Sequence, residues 1–362
     1  MSDQLSEQWR RAKVKINLEA LSNNLSRVRE FAADSKVMAV IKADAYGHGM
    51  LSAAKILTDA DMFAVATLGE AYALRKDGCN KPIIVLHGFI NTAELQEFSA
   101  LGLSTVVHQQ YQMECLLAAK LSSPIDCWLK VDTGMHRLGI HVDDVDAYFD
   151  KLKMCFNVAD VFLMSHFSQS DDTVNIDNYN QLVSFINVNN RNGAVCSMAN
   201  SAAIMRLPKS HFDIVRPGIM LYGSSPFKET TATELGLQAV MQFESMLIDK
   251  KEVKTGESIG YGSTFTCEKD TLVGVVAAGY GDGYSRHAKN GTPVWINNTR
   301  CNLIGRVSMD SLCIDLTGVS AELGDRVVLW GDELSVDEVA RSCDSISYEL
   351  LCNAGAAYKA NR

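Results

Sequence analysis

The chain has 362 residues, too many for one small core, and its 47% apolar and 21% charged content suits a globular protein with one large domain and one smaller one. A net charge of −9 with no basic cluster argues against nucleic acid and anionic membranes as partners. No apolar run is long enough to span a bilayer, the start MSDQLSEQWRRAK holds no apolar signal core, and the ten cysteines form no C-x-x-C pair and no zinc spacing, so reduced thiols, no metal and a cytoplasmic location are expected.

Residues 13–17 read as a short strand, and Leu18 to Phe31 carries Leu18, Leu21, Leu25 and Val28 at a helical period. The apolar run Val37 to Ile41 is short enough for a buried strand. It stops at Lys42, where a Gly-containing turn opens the string IKADAYGHG, Ile41 to Gly49. From here a rhythm sets in: short apolar runs end near Ile41, Ala66, Leu86, Val107, Val131, His166, Met198 and Arg216. Helical segments such as Gly69 to Lys76 and Gln109 to Leu121 lie between them. Eight near-continuous apolar strands alternating with helices predict a closed parallel (β/α)8 barrel.

In such a barrel the carboxyl ends of the strands carry the site. Lys42, His87, His108, Lys130, His166, Ser197 and Arg216 stand at or just after the apolar runs. For His87 and His108 taken singly, a structural histidine is the plainer reading. After Phe227 the pattern changes. Lys228 to Leu235 is polar and reads as a linker, and strand-like runs follow without long helices between them. These runs are Ala239–Ile248, Thr271–Ala277, Pro293–Ile296, Leu312–Leu316 and Arg326–Trp330, with short helices expected at Val336 to Ala340 and Ser347 to Leu351. The expected division is a barrel over 13–229 and a mostly antiparallel β-domain over 230–362, with residues 1–12 a candidate addition to the latter.

Several motifs carry chemistry. A lysine half desolvated at a strand end has a lowered pKa, which frees its amine to attack a carbonyl. Tyr46, four residues on, can hold an anion. Asn200 and Ser201 offer polar groups at a helix start, and RPGIMLYG, from Arg216 to Gly223, brings backbone N–H groups that can cradle a phosphate. Arg137, in WLKVDTGMHRLGI, can fork onto a carboxylate. Tyr261 sits between two glycines in SIGYGSTF, exposed enough to serve as a proton carrier or, alternatively, to pack on the sheet. GYGDGY has the wrong spacing and surroundings for a dinucleotide loop.

The string IKADAYGHG closely resembles the pyridoxal-phosphate motif of alanine racemases. Further motifs, from about residue 13 to 352, follow in the family's order. The resemblance implies pyridoxal 5'-phosphate as cofactor, Schiff-base-linked to Lys42, with Tyr46, His166, Asn200, Ser201, Gly218, Ile219 and Tyr348 around it. It implies that Arg216 faces the pyridine nitrogen. An arginine, with a pKa above about 12, cannot protonate that nitrogen, which favours quick return of the proton to Cα over transamination. It implies Lys42 and Tyr261 as the two bases, Arg137 and Met309 at the substrate carboxylate, Lys130 as a carbamylation candidate, and Tyr280 and Arg306 at the entrance. It also implies a homodimer with shared sites and an amino-acid substrate, with L- and D-alanine interconverted for peptidoglycan.

Two departures stand out. Ser197 occupies a place where many members have histidine, which leaves the partner of Arg216 open, and the ending NAGAAYKANR lacks the R-x-P-R common in the family. A serine or broad-specificity racemase, a non-catalytic pyridoxal-phosphate carrier and a decarboxylase of basic amino acids remain as alternatives.

Overall fold

Five consecutive residues, KVMAV, form strand β2 (Lys36–Val40), and all but the first are buried. Burial on both faces is what a parallel sheet covered by helices requires. Residues 11–172 and 174–360 are described by the computed structural model. Seven more parallel strands follow β2 in the ring: β3 (Met62–Val65), β4 (Ile83–Val85), β5 (Ser104–Val107), β6 (Ile125–Asp132), β8 (Val158–Met164), β9 (Cys196–Ser197) and β10 (Ile214–Val215). β10 pairs with β2 through Ile214 with Lys36 and Val215 with Val37, which closes the barrel. β7 (Ile140–His141) is a short spur beside β6.

The eight expected strand ends fall within two residues of the observed ones. The helix expected at Leu18 to Phe31 has those bounds, and Asn17 caps it by accepting from the Ala20 N–H at 3.1 Å.

The short strand expected over residues 13–17 is present. β1 (Lys13–Ile16) lies outside the barrel sheet and pairs antiparallel with β11 (Met241–Val253), Lys13 opposite Glu244 and Ile16 opposite Met241. An amphipathic strand encodes a face to bury, not its partner, so its local pattern was silent on this. Of the flanking segment 1–12, residues 1–10 lie outside the described residues.

β11 is the spine of the second sheet. Register shifts beside Glu244 and Asp249 bend it, so its first half pairs with β1 and the strand Arg326–Trp330 and its second half with the strand Thr271–Val276. Glu244, buried on β11, is ion-paired with Lys15 and Arg326 and ties the three strands together.

The last helix is longer than expected, Ser347–Ala360. It leaves the second sheet and packs on the segment that follows β2. Two glycines make that approach possible: a Cβ on Gly355 would overlap the Gly47 backbone, and one on Gly47 would overlap the Leu351 carbonyl. The final two residues of NAGAAYKANR lie outside the described residues.

Candidate active site

The Gly-containing turn expected after β2 is present, with Gly47 and Gly49 at positive φ, and it opens on an unusual backbone path. Ala43, Asp44, Ala45 and Tyr46 all have φ of 52–54° and form a left-handed helical turn without a glycine among them. Each such residue costs about 1–2 kcal/mol, roughly 4–8 kcal/mol for the four. The surroundings hold the conformation in place. Glu70 accepts from the Ala43 N–H at 2.7 Å, Asp44 accepts from the Met50 N–H at 2.9 Å, and Lys359 pairs with Asp44 at 3.3 Å. Tyr46 is buried between Tyr222, stacked at 4.7 Å, and Tyr348 at 5.8 Å. The left-handed path puts Lys42 at the barrel mouth and folds Tyr46 back under the same opening.

There a cavity of about 550 Å³ opens at the carboxyl ends of the strands, a size suited to a small-molecule cofactor. Its walls carry Lys42, Lys130, Arg137 and Arg216, with His87 and His166, and among the described residues no aspartate or glutamate. Burial pushes the Lys42 amine below its ordinary value, and the Arg137 charge pushes it further. Lys130 is pushed well below its ordinary value by burial, then by Arg216 and Arg137. His166 is driven well down by burial and by the charges of Lys130 and Arg216, so it is neutral at pH 7. Burial lowers Arg216 only to about 10, and it stays charged.

Arg216 reaches across three barrel strands. It donates to Ser197 Oγ at 2.6 Å, to the Ser165 and Met198 carbonyls, and lies 3.3 Å from His166 Nδ1. The open question of its partner thus has a double answer. Ser197 accepts from it while donating to the Ile214 carbonyl at 2.6 Å, and a histidine contact comes from His166, one strand away.

Asn200 caps the helix Ser201–Arg206, accepting from the Ala203 N–H at 3.2 Å. Ser201 Oγ accepts from the Gly218 N–H at 2.9 Å and the Met220 N–H at 3.4 Å, which locks the two helix starts together. Ser201, Gly218 and Ile219, at the two helix starts, stand on the cavity wall. Gly218 has to be glycine: an added Cβ would stand 2.6 Å from the Tyr46 hydroxyl.

Arg137 is exposed at the cavity edge on a loop tied by Asp132, which accepts from the Gly134 and His136 N–H groups at 3.0 Å each. Asp132 is thereby committed to the loop, and among the described residues no carboxylate forms an ion pair with Lys130. His108 bonds the His87 carbonyl at 3.1 Å and is not a wall residue, whereas His87 is one.

Four expected residues do not line this cavity. Tyr261, Met309 and Tyr280 are 69%, 55% and 40% exposed, and Arg306 is exposed beside them. Their loops touch: the Tyr280 N–H donates to the Ser308 carbonyl at 3.1 Å, and Gly260 backs onto the Arg306 backbone. They form one edge of the second domain, apart from the cavity of their own chain. Tyr348, from the last helix, is the member of that domain expected at the cofactor that does line it, and Cys352 joins it on the wall. Cys352 and Glu70 escaped the sequence reading. For Glu70 a signal exists in T-L-G-E, the spacing of a capping box.

Comparison with known proteins agrees with this architecture. The family model "Alanine racemase, N-terminal domain" matches residues 16–226, and "Alanine racemase, C-terminal domain" matches 240–361. The chain is 47% identical to the alanine racemase of Alcanivorax borkumensis over 95% of its own length and 97% of that protein. It is 45% identical to the biosynthetic alanine racemase of Escherichia coli K12 over 94% and 96%. The crystal structure of the biosynthetic alanine racemase from Pseudomonas aeruginosa superposes with a TM-score of 0.93 at 41% identity, covering 95% of this chain and 97% of that one. The chain belongs to the alanine racemase family.

Proposed function

We propose that this enzyme interconverts L- and D-alanine with pyridoxal 5'-phosphate held at Lys42, and that it supplies D-alanine for peptidoglycan in the cytoplasm. The observation that carries the reading is the cationic, carboxylate-free cavity around a desolvated lysine. A guest bearing a phosphate and a carboxylate fits that donor set. The helix starts at Ser201 and Ile219, with Tyr46 and Tyr348, would hold the phosphate. Arg216 would face the ring nitrogen, and Arg137 would take the substrate carboxylate as a bidentate fork. When bound, pyridoxal phosphate supplies an electron-withdrawing conjugated ring that acidifies the Cα–H of an attached amino acid.

The protein's own part is to move a proton at Cα. Inversion needs a base on each face. Lys42 Nζ, lowered by burial and Arg137, is the base on one face. Tyr261 Oη is the other, and its exposure outside the cavity of its own chain supports a second subunit as its donor. Arg216, with a pKa of about 10, keeps its own proton, so it would donate a hydrogen bond to the ring nitrogen without protonating it, which would favour return of the proton to Cα. Ten unpaired cysteines support a reducing compartment, and among the described residues no helix is long and apolar enough to cross a membrane.

Borohydride reduction followed by peptide mapping tests the reading, with a chiral assay over several amino acids run alongside. The label should sit on Lys42, and L-alanine should lose optical activity faster than L-serine. A label on a different lysine removes Lys42 from its role. Bound cofactor without racemisation of any amino acid would favour a carrier protein instead.

A further inference from the structure

Glu70 is not a wall residue of the cavity, yet its carboxylate grips the chain on either side of the barrel mouth. Its Oε1 accepts from the Ala43 N–H at 2.7 Å; its Oε2 accepts from the Ala66 N–H at 2.7 Å and the Thr67 N–H at 3.2 Å. Thr67 closes a capping box by accepting from the Glu70 N–H at 3.4 Å. A capping box needs only the bond to the Thr67 N–H. The other two bonds go to the ends of β2 and β3, neighbours in the barrel.

The Ala43 N–H belongs to the peptide whose carbonyl is that of Lys42. It is also the first peptide of the left-handed turn, where the backbone is strained and has to be held. One carboxylate therefore fixes the peptide plane from which the Lys42 side chain departs and cross-links it to the next strand. We propose that Glu70 is a positioning residue for Lys42, holding its peptide at the strand end and placing a fixed negative charge against the cationic walls.

The electrostatics agree. Burial and the Arg137 charge disfavour the Lys42 ammonium, while Glu70 and the Cys352 thiol act the other way. Lys130 and His166 also face Lys42 and are coupled to it. Among the described residues, Glu70 is the carboxylate that acts on Lys42 against the Arg137 charge. This inference rests on the reading of Lys42 as the base that carries the cofactor.

The test compares Glu70→Gln, Glu70→Asp and Thr67→Ala in the full-length protein. The glutamine has one acceptor oxygen and no charge, so it cannot serve both strand ends. The aspartate keeps the charge but is one methylene short. Thr67→Ala removes the capping hydroxyl and leaves the three bonds to Glu70, which makes it the structural control. Two quantities are read: kcat and KM for alanine, and the pH midpoint for competitive acylation of Lys42 after the cofactor has been removed.

Glu70→Gln should lower kcat roughly ten- to a hundredfold with KM within about threefold, as a misplaced catalytic group does. Its Lys42 midpoint should move to lower pH, because an anion that favoured the ammonium is gone. Glu70→Asp should recover the midpoint more than the kcat. Thr67→Ala should lower the melting temperature and leave both quantities unchanged. The proposal is overturned if Glu70→Gln keeps both quantities within twofold of wild type, or if Thr67→Ala shifts both equally. If Glu70→Gln does not fold, Glu70→Asp decides: wild-type kcat in it overturns the proposal. The wild-type label on Lys42 and wild-type racemisation are read in the same series, so failure of the underlying reading shows there first.

Discussion

Lys130 lines the cavity beside Arg137 and Arg216, and among the described residues no carboxylate is ion-paired with it. Burial, Arg216 and Arg137 disfavour its ammonium, and Asp132 acts the other way without bonding to it, since its hydrogen bonds go to the Arg137 loop. An amine whose protonated form is disfavoured can add carbon dioxide: nitrogen attacks carbon, a proton leaves, and a carbamate anion remains. That anion would sit among Arg137, Arg216 and Lys42 and relieve their mutual repulsion. We therefore propose that Lys130 is carbamylated. Protein equilibrated with ¹³C-bicarbonate should show a carbamate carbon resonance, absent in Lys130→Ala. Lys130→Ala should also weaken alanine binding, and a carboxylic acid small enough for the gap should partly restore it. A spectrum with no carbamate signal in wild type would leave Lys130 as an unmodified amine. The candidate position was visible in the sequence as a lysine at a strand end. Its want of a partner was not, because Asp132 lies two residues away and only the folded loop shows where that carboxylate goes.

The eight strands were readable at the element scale because a parallel strand buried on both faces leaves an apolar run with little else in it. β2, β3 and β4 show that signature, whereas β6 carries Asp126, Lys130 and Asp132 and β8 is exposed at Ala159 and Asp160 and buried only at its end. The turn after β2 left no such mark. Ala, Asp, Ala and Tyr do not choose a left-handed path by themselves; packing against Gly355, Tyr222 and the last helix imposes it. Local chemistry records a residue's preference, and here tertiary contacts override it.

His48 closes that turn and makes it sensitive to acid. It is buried and stacked on Tyr222 at 4.7 Å, and its Nδ1 donates to the Ala45 and Tyr46 carbonyls at 2.9 and 3.0 Å, while Nε2 has no partner. Burial depresses its pKa to about 4. In the unfolded chain the pKa is about 6.5, so between these values the unfolded state binds the extra proton. Stability is therefore fully present above about pH 6.5 and falls as pH drops toward 4, by about 3 kcal/mol at most for this group. His166, also depressed by burial, acts in the same direction. Urea unfolding at stepped pH should show that slope, and His48→Gln should flatten part of it. An equal slope in the variant would assign the acid sensitivity elsewhere.

At the scale of the whole molecule, the second domain does two things with its two sides. Its last helix supplies Tyr348 to the cavity of its own chain and braces the Lys42 turn. Its loops carrying Tyr261, Tyr280, Arg306 and Met309 stay out of that cavity and leave large side chains in solvent. On the proposed two-base reading, the cavity of each chain then holds only one of the two bases of that chain. Two copies paired about a two-fold axis would set each exposed edge over the other's barrel mouth and complete both sites at once. Subunit exchange tests this directly. Lys42→Ala and Tyr261→Ala homodimers should each lose at least about 10²–10⁴ in rate, since each site lacks one acid–base group. In a hybrid of the two, one site lacks both groups and the other has both. Activity should return toward half of wild type per dimer. Differently tagged chains recovered together show that exchange has taken place. Verified hybrids that stay inactive would mean that Tyr261 either reaches the cavity of its own chain by a rearrangement or takes no part in the chemistry, and the shared site would fall.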